Sequence, residues 1–339
     1  MRIFHSRRLK DLRLYLGMTQ KEFAQRLGCS QSELSVAENG RKQTAELIQE
    51  AVFAFKVPPS YFEAPPSPYG SDSLNFRTKR ISAKVRRAFS STFYEAERAM
   101  LSAPAKVPVV NLANENLPNR AYSLPLSVIE TVAAQARNQL GVSPTGPVFN
   151  VTHAIEKAGH RVCTLTNDFV DISDIDGASS PEFNHDGLGL IATTEKHDGG
   201  RVRFTRAHEL GHLVMHSTFR PSDEKAREDE ADFFAGAFLF PEEDAKELLS
   251  ESLTLEGYAR IKSQYAVSIA ALIHRGRDLG IASAERYRSL MIQLSSRGWR
   301  INEPVEVPVE RATTINAISL RKESTTQGDL AALPTLFDS

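Results

Sequence analysis

The stretch Arg201-Val-Arg-Phe-Thr-Arg-Ala-His208-Glu209-Leu-Gly-His212-Leu-Val-Met-His216 decides how this 339-residue chain is read. Its second half has helical periodicity, and on a helix His208 and His212, four apart, leave the same face. That spacing brings two imidazole nitrogens to one zinc ion. Glu209 follows the first histidine and stands beside the same ion without binding it. A carboxylate there can act as general base toward an attacking water. With nine histidines in the chain, an H-E-x-x-H run arises by chance in roughly 1–2% of such sequences. The motif therefore needs support from its surroundings.

A catalytic zinc takes three protein ligands and keeps one position open. The extended pattern H-E-x-x-H-x-x-G-x-x-H does not supply the third, because Met215 and Thr218 stand where it has glycine and histidine. The next helical pattern, 222–240, is stopped by Pro241 and offers Glu228 and Asp232 on one face. Ala231 and Ala235 on that face are small enough to let the helix pack closely on the first. Glu228 is the expected third ligand, and Asp232 the expected partner of one histidine's far nitrogen. Glu230 is expected to point away from that face. His216, one turn past His212, is open between a substrate contact, a support for the site and a buried histidine satisfied by its neighbours.

The runs Arg203-Phe-Thr-Arg-Ala-His-Glu-Leu-Gly-His-Leu-Val-Met-His216 and Glu228-Asp-Glu-Ala-Asp-Phe-Phe-Ala-Gly-Ala-Phe-Leu-Phe-Pro241 resemble the ImmA/IrrE family of zinc metallopeptidases. The resemblance implies an α+β, zincin-like domain with His208, His212 and Glu228 as zinc ligands and Glu209 as base. It also implies limited cleavage of a repressor or antitoxin-like regulatory protein. Pro147 to Asn150, Glu156 to Gly159 and Asp174 to Ser180 look like the start of that domain. Arg206 and Gly236 depart from the family pattern, which commonly has an aliphatic residue and an alanine there.

At the other end, Leu9, Leu12 and Leu16 form an apolar stripe at helical spacing, ended by Gly17. Thr19 and Ser30 are placed to cap the next two helices, with a break at Gly28-Cys29 between them and a stop at Asn39-Gly40. Ala45 to Phe55 reads as a fourth helix. The run from Gly17 to Arg41 resembles an XRE-type, lambda-repressor-like helix-turn-helix domain. In that arrangement the third helix enters the major groove. Gln20 is then placed to meet a phosphate, Gln31 to read an adenine, and Ser30, Ser32 and Ser35 to lie at or near the DNA-facing side. Arg41 and Lys42 are expected phosphate contacts. Glu33 is awkward near DNA unless it accepts from a cytosine or faces away.

Outward from these motifs, the expected organisation is an all-α helix-turn-helix domain over 1–66 and a basic connector over 67–124. A peptidase domain follows over 125–250, a helical module over 251–310 and a disordered tail over 311–339. The connector carries Arg77, Lys79, Arg80, Lys84, Arg86 and Arg87. Residues 1–90 hold sixteen Lys/Arg against eight Asp/Glu, and 218–256 hold four against twelve. A basic front end suits a polyanion such as double-stranded operator DNA. Paired half-sites would suit a homodimer. Cys29 and Cys163 make no disulfide framework, and neither a signal peptide nor a membrane-spanning run is read, so a cytoplasmic protein without a membrane partner is expected. The rival reading is a DNA-binding regulator whose zinc site is structural or sensory. His274 and Tyr265 are further side chains weighed for oxyanion stabilisation.

Overall fold

The computed structural model describes residues 3–41, 45–66, 74, 81–102, 107–114, 117, 123–184, 186–196, 198–217 and 223–312. Lys42, Thr218, the connector residues Arg77, Lys79 and Arg80, and the expected tail from 313 onward lie outside them. Two compact units form, one from the described residues of 3–102 with 164–175, the other from those of 107–163 with 176–312.

The first unit is helical: α1 (Arg8–Tyr15), α2 (Gln20–Arg26), α3 (Gln31–Glu38), α4 (Ala45–Phe55), α5 (Ser60–Glu63) and α6 (Ala83–Ser102). Thr19 and Ser30 cap α2 and α3 through full capping boxes closed by Glu22 and Glu33, each of which satisfies two otherwise orphaned N–H groups. Gly17 and Gly28 take φ of +65° and +66° where α1 and α2 end, a left-handed conformation that residues with a Cβ rarely adopt. Leu9, Leu12, Phe23, Leu34 and Phe55 fill the core, and Phe23 stacks on Phe55.

The stretch expected as a basic connector holds α6, which packs directly on α1. Its Phe89, Phe93, Ala96 and Met100 recur at helical spacing and are fully or almost fully buried, while Lys84 and Arg87 stay exposed. A buried ion pair fastens it. Arg8, with no exposed surface, donates to both Glu95 oxygens at 2.6 and 2.9 Å, to Asp11 at 2.7 Å and to the Tyr61 carbonyl at 3.1 Å. Arg98 donates to Glu95 at 2.7 Å. Asn167, from the segment that joins this unit later in the chain, donates to the Tyr15 carbonyl and to Thr92 Oγ1.

The second unit is α+β. Its helices are α7 (Leu126–Gln139), α8 (Val151–Lys157), α9 (Gly199–His216), α10 (Glu224–Leu239), α11 (Glu242–Leu248), α12 (Leu255–Tyr265), α13 (Ile269–Asp278) and α14 (Ala284–Ser296). The strands β1 (Arg161–Leu165), β2 (Gly177–Ser179) and β3 (Leu190–Thr194) form a sheet in the order β1-β3-β2. The apolar runs Arg161 to Leu165 and Gly187 to Thr194 read as strands from sequence and correspond to β1 and β3, whereas β2 does not; it pairs antiparallel to β3 with Ala178 opposite Ala192. Asp198 caps α9 by accepting from the Arg201 N–H, so the run Asp198-Gly199-Gly200, which has the composition of a turn, is the start of the helix. α9 is buried along nearly its whole length, between the sheet and α10. A Cβ on Gly211 would come within 2.8 Å of the Phe234 ring of α10. The missing side chain in the middle of the H-E-L-G-H run is what allows this approach.

The helices beyond 250 share one apolar core with α7 to α10: Leu272, Ile273, Leu290 and Leu294 belong to the same cluster as Leu210, Phe234 and Phe238. Arg275 ties them down, donating twice to Glu130 at 2.7 Å and once to the Phe240 carbonyl. An extended run then returns to the start of α9. Gly199 N–H donates to the Val307 carbonyl, where any Cβ would meet backbone at 2.2 Å. Glu310 accepts from the N–H groups of Val151 and Thr152 at the start of α8 and pairs with Arg203 of α9. Arg206 donates to the Glu310 carbonyl at 2.9 Å and to Thr152. The departure from the family pattern at Arg206 is thus matched by polar partners. Among the described residues no helix is long and apolar enough to cross a membrane.

Candidate metal centre

Three of the side chains singled out from spacing meet. His208 Nε2 and His212 Nε2 lie 3.1 Å apart, and the Glu228 oxygens lie 3.4 and 3.3 Å from them. All three donor atoms fall within 4.8 Å of one another, a set able to hold a metal ion. Their convergence follows from the elements: the i,i+4 pair projects from α9, and Glu228 comes from the first half of α10, which Gly211 lets lie close.

The site fits a cation by its own unmet chemistry. Both Glu228 oxygens are buried and accept no hydrogen bond among the described residues, an arrangement that costs free energy unless something positive stands there. His208 Nδ1 lies 2.8 Å from Asp232 Oδ1. The carboxylate can only accept, so the Nδ1 proton is fixed and the Nε2 lone pair faces Glu228 and His212. Burial works against charge on His208, but the hydrogen bond to Asp232, the Glu228 carboxylate 3.4 Å from its Nε2 and the charge of Glu209 lift it to about 9. Burial takes His212 the other way, down to about 3, helped by His208 and His216 and opposed by Glu228. Burial also opposes charge on Glu228, yet the two histidines hold its carboxyl well below the usual range. A proton and a divalent cation compete for these same lone pairs.

Glu209 is 5% exposed and accepts a hydrogen bond from Ser179 Oγ of β2 at 3.1 Å. Ser179 was not read from the sequence as a site residue; its only signal was its place in the run from Asp174 to Ser180. Glu230 departs from its expected place, and His216 is the buried histidine that was one of its open readings. His216 is 1% exposed, with Nδ1 2.9 Å from His212 Nδ1 and Nε2 2.9 Å from Glu230 Oε2. Glu230, expected to point away, is 2% exposed and also accepts from the Leu124 N–H at 2.6 Å. It is buried because α10 packs on both α9 and α7, which leaves its flank little solvent. Tyr265 packs edge-on against Phe240, and His274 sits beside Tyr287.

In the first unit, Gln31 and Ser32 are exposed at the start of α3, and Arg41 is exposed beyond its end. Gln20 is half-buried, donating to Glu38 at 2.9 Å and facing the Gln31 amide at 3.5 Å. Ser30 spends its hydroxyl on capping, and Ser35 is half-buried. Glu33, exposed at the same end of α3, turns back onto Ser30 at 2.9 and 2.7 Å. Lys10, Lys21, Lys84 and Arg87 line a cleft of about 580 Å³ together with Gln20 and Gln31, and no carboxylate is among its lining residues.

Residues 156–276 match the peptidase family model described as the IrrE N-terminal-like domain, and residues 9–62 match a helix-turn-helix model. Comparison with curated proteins gives no match. The chain therefore carries an XRE-type helix-turn-helix domain followed by a domain of the IrrE N-terminal-like peptidase family.

Proposed function

We propose that this chain is a zinc-dependent endopeptidase that cleaves a regulatory protein of the repressor or antitoxin kind in the cytoplasm, while its helix-turn-helix domain binds operator DNA as a homodimer. The observation that carries the reading is the convergence of His208, His212 and Glu228 beside a buried Glu209 held by Ser179. A fourth protein ligand would close the site and favour a structural role; the cluster comprises three residues among those described. Bound zinc supplies Lewis acidity toward a peptide carbonyl. His208, His212 and Glu228 would hold it, with Asp232 orienting His208. Glu209 accepts a proton from the attacking water and passes it to the amide nitrogen as the C–N bond breaks. Ser179 keeps the Glu209 carboxylate aimed. β2 is the last strand of its sheet among the described residues, so an extended substrate segment can add to it by backbone pairing and run past Glu209.

The test uses the purified full chain and the regulatory proteins encoded beside its gene, with fragments mapped by mass spectrometry. About one zinc per chain is expected, with cleavage at a defined bond that stops on chelation and returns when zinc is restored. Cleavage indifferent to the chelator, or a chain that takes up no zinc, would sink the reading.

The DNA half is supported by the cation-lined cleft at the start of α3. Lys84 and Arg87 of α6 extend the basic surface beyond the matched domain. The double substitution Lys84→Glu/Arg87→Glu is expected to weaken duplex binding and to lower the slope of log K against log salt by roughly 2, about 0.9 per lost phosphate contact. An unchanged slope would exclude α6 from the interface.

A further inference from the structure

Glu230 is buried behind the metal centre and takes no part in the donor set. Its Oε1 accepts from the Leu124 N–H at 2.6 Å and its Oε2 lies 2.9 Å from His216 Nε2. An ionised carboxylate only accepts, so the proton in the second contact belongs to His216 Nε2. A neutral imidazole protonated at Nε2 presents a lone pair at Nδ1. His216 Nδ1 lies 2.9 Å from His212 Nδ1, so the proton between them belongs to His212. That histidine then carries its proton on Nδ1. Its Nε2 lone pair faces His208 Nε2 at 3.1 Å and Glu228 Oε1 at 3.3 Å.

We infer that His216 and Glu230 are positioning residues for His212: they set its tautomer so that Nε2 is the donor atom of the metal centre. The inference rests on the metal reading above and extends it by two residues. The two histidine ligands are thereby oriented differently. His208 is held directly by Asp232, a side chain 40% exposed. His212 is held through a second imidazole by a carboxylate that is 2% exposed. The hydrogen bonds of the inner arm are therefore less open to competition from water.

The isosteric substitution Glu230→Gln separates this role from packing. The amide keeps the shape but offers one acceptor and one donor. With its oxygen held by the Leu124 N–H, its NH2 group faces His216 Nε2, which must then accept. The proton shifts to His216 Nδ1, His212 Nδ1 becomes the acceptor, and His212 is left protonated at Nε2, where the metal binds. His216→Leu breaks the same chain, whereas His216→Asn keeps an oxygen near the position of Nδ1 and so retains an acceptor for His212.

The experiment is a zinc titration of the metal-stripped full chain against a chelating fluorophore, with the visible spectrum of the cobalt form as a second readout. Glu230→Gln and His216→Leu are expected to weaken zinc binding by roughly 10–100-fold and to change the cobalt spectrum. The metal-free chain should melt close to the parent. His216→Asn is expected to recover most of the loss. If Glu230→Gln does not fold, the contrast between His216→Leu and His216→Asn decides. Parental affinity in Glu230→Gln and His216→Leu overturns the inference and leaves the metal centre standing. A parent that takes up no zinc overturns both, so the two failures are told apart.

Discussion

Glu209→Gln is expected to keep its zinc and lose cleavage of its regulatory substrate by roughly 10²–10⁴-fold, the range that a positioned general base contributes. The separation follows from the geometry. Glu209 is not in the set of three converging donors, so the ion should be held as tightly as in the parent. Glutamine has the same shape and still offers an oxygen to Ser179 Oγ, which lies 3.1 Å from the carboxylate. What is lost is a group that can take a proton from water and return it to the departing nitrogen. His208→Ala is the contrasting control, because it should lose metal and cleavage together. Zinc content by elemental analysis, with a time course on the substrate found in the chelation experiment, checks both. Parental rates in Glu209→Gln would remove the carboxylate from the chemistry. Loss of zinc in that variant would make it a ligand.

The second large effect is in the other unit. Glu95→Gln is expected to destabilise it by about 3 kcal/mol or more, because the Arg8 guanidinium stays buried with its principal countercharge gone. That is a large share of the roughly 5–15 kcal/mol that holds a domain folded. Burial raises the carboxyl of Glu95, but Arg8 and Arg98 outweigh it and hold it below its usual range. A carboxylate depressed in the folded state stabilises above its unfolded pKa of about 4.3 and loses that contribution as pH falls below it. The gap between parent and Glu95→Gln should therefore narrow in acid. Asp11 works in the opposite sense, since burial pushes its carboxyl up despite Arg8, so the informative quantity is the difference between the two proteins. Urea unfolding at neutral and acid pH reads it. A pH-independent gap would assign the loss to packing. The paired change Arg8→Met/Glu95→Leu should recover part of the loss but not all, because Arg98 and Asp11 keep their charges.

How far such features can be read in advance depends on the length scale of the interaction. His208, His212 and Glu228 were legible as a group because two belong to one helix turn and the third sits on a helix marked by alanines. The capping roles of Thr19 and Ser30 were legible because the closing glutamates stand three residues on. β2 was not, since Gly177-Ala178-Ser179 is too short to show alternation and has little strand preference. α6 was legible as a basic, helix-compatible stretch, whereas its packing through Phe89, Phe93, Ala96 and Met100 was not, because their partners lie on α1, far back along the chain. Glu230 and Arg203 were out of reach for a different reason. Their partners lie far along the chain, Leu124 for one and Glu310 for the other, and no local pattern announces a pairing set by the packing of whole helices.

The return of the chain to Glu310 bears on where this peptidase module ends as an inheritable piece. The family match stops at residue 276, yet the helix bearing both histidines begins against Val307 and Pro308, and its two buried arginines draw on Glu310. A fragment cut at the family boundary would leave two guanidinium groups in an apolar interior without their countercharge. The unit that recombination can move between genes with its histidine-bearing helix intact is thus longer than the unit that sequence similarity marks, by α14 and a strap of irregular backbone beyond it that carries no motif.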